Sequence, residues 1–431
     1  MGLVTGRWSL YNGLMSTKTP QTLKGFRDFL PSEARVRQYL KNSIRQTFEL
    51  FGFEPLETPT LEYASLLLGK YGEEADKLVY ILEDRGKRRI GLRYDQTVPT
   101  ARVLANYQHQ LPSYFRRYQI QNVFRAEKPQ RGRYRELTHA DIDIFGTTST
   151  LADAEILACS YVVFQKLQLP QVVIKINHRQ LLFDQLQPFA TDQISVFSLI
   201  QSIDKLDKLS SDGVIQELVD KGLPASQAKK ILETLQQTSP NNNLKLIIQQ
   251  AKQLGVPAQN LQFSPTLARG LDYYTGMIFE VVLPQAGLGS LAGGGRYDHL
   301  IQTLGGPDIP AVGMAIGFDR TLEVLRQLNL LPPLTSTAQA LFTILDPTYL
   351  NQVFKLAQEI RSHQINLEIY PNPQDKFRKQ LQYALKKQIP YLLILGEDEV
   401  KTNQVTLKNL RTRQQETLPL KTLLSLLQPN Q

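Results

Sequence analysis

Only one cysteine, Cys159, stands in the 431 residues, which rules out an intramolecular disulfide and a cysteine-built zinc cage. It falls in the apolar stretch 158–164 and reads as core packing. Long hydrophobic runs are equally scarce: no uncharged apolar segment approaches the roughly 20 residues a membrane-spanning helix needs. The first 19 residues contain no apolar stretch long enough for a secretory signal, and Gly6 breaks the myristoylation pattern. They read as a disordered leader, with Met15 an alternative start; an organellar signal stays open because the stretch has no acid. Neither a G-x-x-x-x-G-K-[ST] loop nor a G-x-G-x-x-G fingerprint occurs. Any bound nucleotide must therefore be held by side-chain cations, not by a glycine loop at a helix start.

What is present is a globular composition, 42% hydrophobic and 21% charged, with 49 basic residues against 40 acidic ones for a net charge of +9. The length exceeds one ordinary core and implies roughly two to four domains. The positive balance suits a polyanionic partner without requiring one.

Pro31-Ser32-Glu33 opens a helix in which Val36, Leu40, Ile44, Phe48 and Phe51 recur at helical spacing until Gly52 stops it. Strand-like runs follow at 89–92, 114–124 and 140–145, then a helix over 151–167. This is mixed α and β without the alternation of a doubly wound sheet. Between 188 and 260 the pattern turns helical and polar, with Asn241-Asn242-Asn243 as a break, and reads as an inserted helical module. Strands resume at 277–283, followed by a glycine-rich turn and a helix from Phe318, so the insertion interrupts one sheet domain spanning 20–187 and 261–330. Residues 331–337, with a proline pair, form a linker. From 338 to 431 strand and helix alternate, which implies βαβ units and a parallel sheet. This tail carries twelve Lys and Arg, among them Lys376, Arg378, Lys379, Lys386 and Lys387 on or beside one helix. The cluster reads either as a solvated face or as a footprint for a phosphate backbone.

Four segments carry the chemistry. FRAEKPQRGRYRELTHADIDIFG places Arg125, Arg131, Arg133 and Arg135 in a loop between two strands. Guanidiniums suit that position because their rigid fork pairs with phosphate oxygens and stacks on bases. LARGLDYYTGMIFE sets Arg269 beside Asp272, Tyr273 and Tyr274, a group able to line a pocket for a polar substrate. LAGGGRYDHL permits either a tight turn or close backbone approach, and GMAIGFDR brings Arg320 to a helix opening.

Together these segments resemble histidyl-tRNA synthetases, from about Thr22 to Leu427. FRAEKPQRGRYRE resembles class II motif 2, GMAIGFDR motif 3, and GFEPLETPTLEY around Pro59 motif 1, while LARGLDYYTG and GGGRYD resemble the segments that mark the histidyl branch. LRYDQTVPTARVLA and VVIKINHRQLL are similar to the same family. The resemblance implies an α+β chain: an antiparallel class II catalytic sheet, a helical insertion, and a C-terminal α/β anticodon-binding domain. It also implies ATP with Mg²⁺, L-histidine and tRNA(His) as partners, a homodimer built on motif 1, and a cytoplasmic location.

By position, Arg125 and Glu127 are expected at the ATP α-phosphate and adenine side, Arg133 and Arg135 at the outer phosphates and base, Arg320 on the adenine, and Arg269 at the α-phosphate. For the amino acid, Asp95 and Thr97 are expected at the α-amino group, and Asp143 with Tyr274 at the imidazole. Tyr297 closes the pocket and Tyr273 stands beside it. The protein ligands of the metal ion are not legible in the sequence. Asp95 is the shorter acid found in some branches, and His139 stands where the family commonly has Gln. With the ordinary titration of histidine near ~6.5, proton binding to His139 is expected to compete with substrate between about pH 7.5 and about pH 6. Two alternatives to a ligase are the non-catalytic regulatory subunit of ATP phosphoribosyltransferase and a synthetase-like RNA-binding or sensor protein. The retained arginines and the C-terminal domain weigh against both.

Overall fold

The computed structural model describes residues 19–69, 76–129, 134–207, 209–268 and 273–428. They divide into two compact units, one of residues 19–28 and Arg37–Leu331, the other of Phe29–Val36 and 332–428.

The larger unit is built on an eight-stranded sheet. In chain order its strands are β1 (Glu54–Pro55), β5 (Phe115–Phe124), β6 (Glu136–Phe145), β7 (Val173–His178), β8 (Leu261–Phe263), β9 (Met277–Val282), β10 (Ser290–Arg296) and β11 (Ala311–Gly317). Across the sheet the order is β1-β5-β6-β11-β10-β9-β7-β8. The central pairings are antiparallel, and only the two edge pairs, β1 with β5 and β7 with β8, are parallel. The intervening β2 (Leu61–Tyr63), β3 (Ile81–Glu83) and β4 (Arg89–Leu92) form a small antiparallel sheet in the order β2-β4-β3.

One face of the large sheet is covered by helices. Within helix Pro31–Leu50, Leu40, Ile44 and Phe48 are fully buried. Their i, i+4 spacing makes one apolar stripe, and burying each such side chain is worth roughly 1.5–3 kcal/mol. Phe48 meets Tyr118 of β5 at 6.0 Å between ring centroids. Gly52, at φ +73°, turns the chain out of the helix as a left-handed terminator. Helices Thr150–Lys166 and Phe318–Gln327 pack against β6 and β11 on this face. Asp319, in the first turn of the latter, accepts from Arg27 at 2.7 Å, Arg37 at 2.6 Å and the Thr138 N–H at 2.9 Å. One carboxylate thus ties the chain's beginning, the first helix and β6 together.

The run 179–253 is helical, with helices Arg179–Leu186, Val196–Ile203, Ser211–Asp220, Ala225–Gln237 and Asn242–Gln253. The asparagine triplet expected as a break opens a helix instead: the Asn241 side chain caps it by accepting from the Leu244 N–H at 2.9 Å. That last helix packs on helix Thr150–Lys166.

In the smaller unit, β12 (Ala340–Phe342), β13 (Leu367–Ile369), β14 (Tyr391–Ile394), β15 (Gln404–Asn409) and β16 (Gln415–Pro419) form a sheet in the order β13-β12-β14-β15-β16. The first three strands are parallel, as the βαβ pattern implies, whereas β15 and β16 add an antiparallel hairpin. A 409–414 turn closes it, with Asn409 accepting the Arg411 and Thr412 N–H groups. A short connection of that kind joins only antiparallel neighbours, because a parallel return needs a long crossover. Leu341 and Phe342 are both fully buried, so β12 is covered on both faces.

A buried ion pair fastens β10 to the helical face. Arg296 reaches Asp153 on helix Thr150–Lys166, its Nε at 3.1 Å and 3.2 Å from the two carboxylate oxygens, with Asp153 1% exposed. Removing one member of a buried pair strands the other charge. Arg296→Met is therefore expected to cost about 3–5 kcal/mol and to lower the Tm of the first unfolding transition in calorimetry.

Candidate active site

The other face of the large sheet carries a polar ladder. In β6, His139, Asp141 and Asp143 fall on one side while Ala140, Ile142 and Ile144 fall on the other, the two-residue period of a strand. The antiparallel register sets Arg117 opposite Asp143, Gln119 opposite Asp141 and Gln121 opposite His139 on β5. On the other flank, Gly313, Ala315 and Gly317 of β11 stand opposite the same three residues. Three polar rungs therefore lie beside two glycines and an alanine, which leaves room above the strands.

Glycine is required at two of these positions. A Cβ on Gly313 would come within 1.8 Å of an Asp143 carboxylate oxygen, and one on Gly295 of β10 within 2.9 Å of the Tyr274 ring. The triple glycine 293–295 lies inside β10, so it serves close approach and not the tight turn that the sequence also allowed.

Asp143 sits at the inner end. Its side chain accepts a very short hydrogen bond from the Tyr297 hydroxyl and forms an ion pair with Arg117, which has no exposure at all. Burial pushes the Asp143 carboxyl above the usual range, opposed by Arg117 and by the Tyr297 hydrogen bond. Tyr297 is held well above the ordinary phenol value by burial and by the Asp143 charge, so it remains a donor. Tyr273 meets Tyr274 in a tilted contact and Tyr297 edge-on, at centroid distances of 4.9 Å and 5.6 Å, making an aromatic wall.

Asp95 enters from the small sheet. It precedes helix Thr97–Tyr107 and accepts the Val98 N–H at 3.1 Å, which holds its carboxylate at the helix's first turn. Arg125 lies just beyond β5, its guanidinium 4.4 Å from the Tyr94 ring centroid and its N–H extending the hairpin ladder to the Arg135 carbonyl at 2.9 Å. These groups converge on one cleft enclosing about 470 Å³, open solvent at its mouth included, which is lined by Asp95, Thr97, Arg125, His139, Asp143, Tyr273, Tyr274 and Tyr297 among others.

Arg320 donates to the Ser290 carbonyl, and the Arg135 side chain donates to the carbonyls of Glu127 at 3.1 Å and Lys24 at 3.3 Å. Arg131, Arg133 and Arg269 lie outside the described residues. The sequence reading passed over Asp141, Arg117, Gln119 and Gln121. Their signal was present as polar residues at every second position, R-x-Q-x-Q and H-x-D-x-D, in strands whose other positions are largely apolar.

Burial first, then the Arg125 and Arg320 guanidiniums, hold the His139 imidazole well below the ordinary histidine value, which favours its neutral form. Among the described residues no group of three or more His, Cys, Asp or Glu gathers to hold a metal ion.

A largely antiparallel sheet with helices packed on one face, a cleft lined by Arg125 and by acidic and tyrosine side chains, and a C-terminal α/β unit make this a class II aminoacyl-tRNA synthetase. Residues 25–321 match the family described as histidyl-tRNA synthetase, and residues 335–430 match an anticodon binding domain. The chain belongs to the histidyl-tRNA synthetase family. It is 36% identical to the histidine–tRNA ligase of Cytophaga hutchinsonii, over 92% of this chain and 96% of that one. To the histidine–tRNA ligase of Helicobacter hepaticus it is 37% identical, over 92% of this chain and 95% of that one. The crystal structure of histidyl-tRNA synthetase from a Nostoc species superposes with a TM-score of 0.81 at 29% identity, over 96% of this chain and 99% of that one.

The depressed His139 value carries a stability consequence. Below pH ~6.5 the unfolded chain binds a proton that the folded chain refuses, so folding loses up to ~1.4 kcal/mol per pH unit until the folded value is reached. Melting curves between pH 7.5 and 5 are expected to show His139→Gln losing less stability than the parent on the acid side and tracking it above pH 7.

Proposed function

We propose that the protein is a histidine–tRNA ligase that activates L-histidine with ATP and transfers it to the 3′ end of tRNA(His). The observation that carries this reading is the convergence, in one cleft, of an acid- and tyrosine-lined amino-acid seat with the hairpin arginine Arg125. A neutral imidazole donates from one nitrogen and accepts at the other, and buried Asp143 with Tyr274 and Tyr297 is equipped to engage both. Seats built from buried polar groups reject apolar isosteres because those would leave the groups unpaired. Asp95 and Thr97 serve the α-ammonium, with neutral His139 as an acceptor beside it.

In the first step a carboxylate oxygen of histidine attacks the α-phosphorus of ATP, the bond to the bridging oxygen breaks, and pyrophosphate leaves. Two anions must meet, so fixed cations offset their repulsion and the charge of the transition state. Arg125 is assigned that role together with Arg269, while Glu127, Arg133, Arg135 and Arg320 hold the outer phosphates and adenine; for Arg133 and Arg269 the support is the sequence alone. ATP enters as its magnesium complex, the hard cation carried chiefly by phosphate oxygens and water. In the second step the terminal adenosine hydroxyl of tRNA attacks the adenylate carbonyl and AMP departs. No side-chain nucleophile is needed.

The homodimer and a cytoplasmic location belong to the same proposal. The motif 1 segment supports the dimer, since Leu61 and Tyr63 on β2 are 44% and 58% exposed. Among the described residues no helix is long and apolar enough to cross a membrane. The regulatory-subunit alternative is disfavoured by the match to an anticodon binding domain over 335–430.

Histidine-dependent exchange of pyrophosphate into ATP tests the reading directly, and its absence from the parent protein would sink it. Arg125→Ala and Arg269→Ala are each expected to lower kcat about 10²–10³-fold with the fold intact. For the tail, Lys379 is paired with Asp375 at 2.8 Å and Lys387 with Glu368, while Lys376, Arg378 and Lys386 are exposed. Replacing these last three with Ala is expected to raise the KM for tRNA and flatten its salt dependence, leaving pyrophosphate exchange within about twofold. Equal loss of both activities would place the tail's role elsewhere.

A further inference from the structure

Asp141 is the carboxylate in the cleft that the proposed roles leave unused. It is 2% exposed, it lines the cleft, and its Oδ1 accepts no hydrogen bond although it lies 3.8 Å from His139 Nδ1. Its cross-strand neighbour is turned away: the Gln119 amide donates to Thr58 at 2.8 Å and to Gln121 at 2.5 Å. Two buried guanidiniums feel its charge, and both are committed elsewhere: Arg117 pairs with Asp143, and Arg93 donates to the Asn122 and Thr58 carbonyls and to the Gln121 side chain. The cleft is thus lined by three carboxyl groups, Asp95, Asp141 and Asp143. An isolated buried carboxylate is costly unless it is neutralised or paired, so the arrangement fits an incoming cation.

Its place along the strand says which cation. His139, Asp141 and Asp143 are successive same-face positions, about 6.6–6.8 Å apart. Asp143 with Tyr297 marks the imidazole end, and Arg125, beyond His139, marks the end facing the reacting phosphate. In histidine the order is imidazole, then the carbon bearing the ammonium, then the carboxylate. Asp141 falls under the middle group. Resting on the histidine–tRNA ligase reading above, we infer that Asp141 is a second carboxylate for the substrate α-ammonium, acting with Asp95 as a specificity-determining residue for an α-amino acid.

The free protein supplies an independent sign. Burial raises the Asp141 carboxyl well above the usual range, with Asp143 and Asp95 adding to the rise and Arg117 and Arg125 opposing it. Around it stand Arg117 and Gln119 on β5, His139 and Asp143 on β6, Ala315 on β11, Asp95 before helix Thr97–Tyr107, and Arg125. A raised folded value means that folding loses stability as pH rises above the ordinary carboxylate value of ~3.9. A bound cation would offset that cost by favouring the charged form.

The test uses the full-length parent, Asp141→Asn and, as a second variant, Asp141→Ser. Each is titrated calorimetrically with L-histidinol, which keeps the ammonium and imidazole, and with 3-(imidazol-4-yl)propan-1-ol, which lacks the ammonium. The expected result is a Kd for histidinol raised at least about tenfold in both variants, a Kd for the deamino compound within about twofold of the parent, and a Tm of ligand-free Asp141→Asn at pH 7 equal to or above the parent's. Histidinol affinity within about twofold of the parent in both variants overturns the assignment. Parallel weakening toward both compounds, or a lowered Tm with no ligand selectivity, overturns it as well by showing a structural role. A parent that binds no histidinol overturns the ligase reading itself, and this assignment with it.

Discussion

A carboxylate placed on a β-sheet face with no water around it must have its charge answered there. In this protein that constraint is met at Asp143, and much of the catalytic unit follows from it. Arg117, without any exposure, supplies the countercharge from the neighbouring strand, and Tyr297 supplies a hydroxyl from the connection after β10. The carboxylate itself occupies the space above Gly313, where a methyl group would overlap it. Breaking such a buried pair typically costs several kcal/mol, while keeping it contributes less to stability than to fixing one arrangement. What the arrangement fixes is a donor and an acceptor set at one end of a cleft.

The opposite face of the same sheet gives the ladder its rigidity. Asp319 gathers Arg27, Arg37 and the Thr138 N–H, and Arg296 with Asp153 pins β10 to a helix. Each binds strands that carry site residues: β6 bears His139, Asp141 and Asp143, and β10 runs into Tyr297. The polar groups in front are held by polar groups behind, with the apolar layer of Ile142, Ile144, Leu40 and Phe48 closing the core. Pre-set donors and charges need no reorganisation when charge develops, which is where electrostatic catalysis gains most.

Several elements were readable along the chain because their signals are local. The helix from Pro31 has its opening proline, its four-residue apolar repeat and its terminating glycine within about 20 residues of one another. The β5–β6 hairpin announces itself by two strand patterns around a proline- and glycine-bearing loop. The asparagine triplet was misread because a cap and a break use the same residue types, and which one forms depends on whether a helix follows that has something to pack on. The antiparallel end of the C-terminal sheet escaped the βαβ pattern for a similar reason: strand direction is set by partners and not by residue preference.

By itself the sequence determined the family, the mixed α and β character of the chain, and most of the residues that meet in the cleft, since a dense set of ordered motifs carries that information without coordinates. Only the tertiary structure set the proton affinities. Burial and neighbouring charges favour the neutral forms of His139 and Asp141, and those neighbours, Arg125 and Arg320 for the one and Asp143, Asp95 and Arg117 for the other, come from strands and helices far apart in the chain. Desolvation and Coulomb interaction depend on distance in space and on the surrounding dielectric, and neither quantity is written in the spacing of residues along a chain.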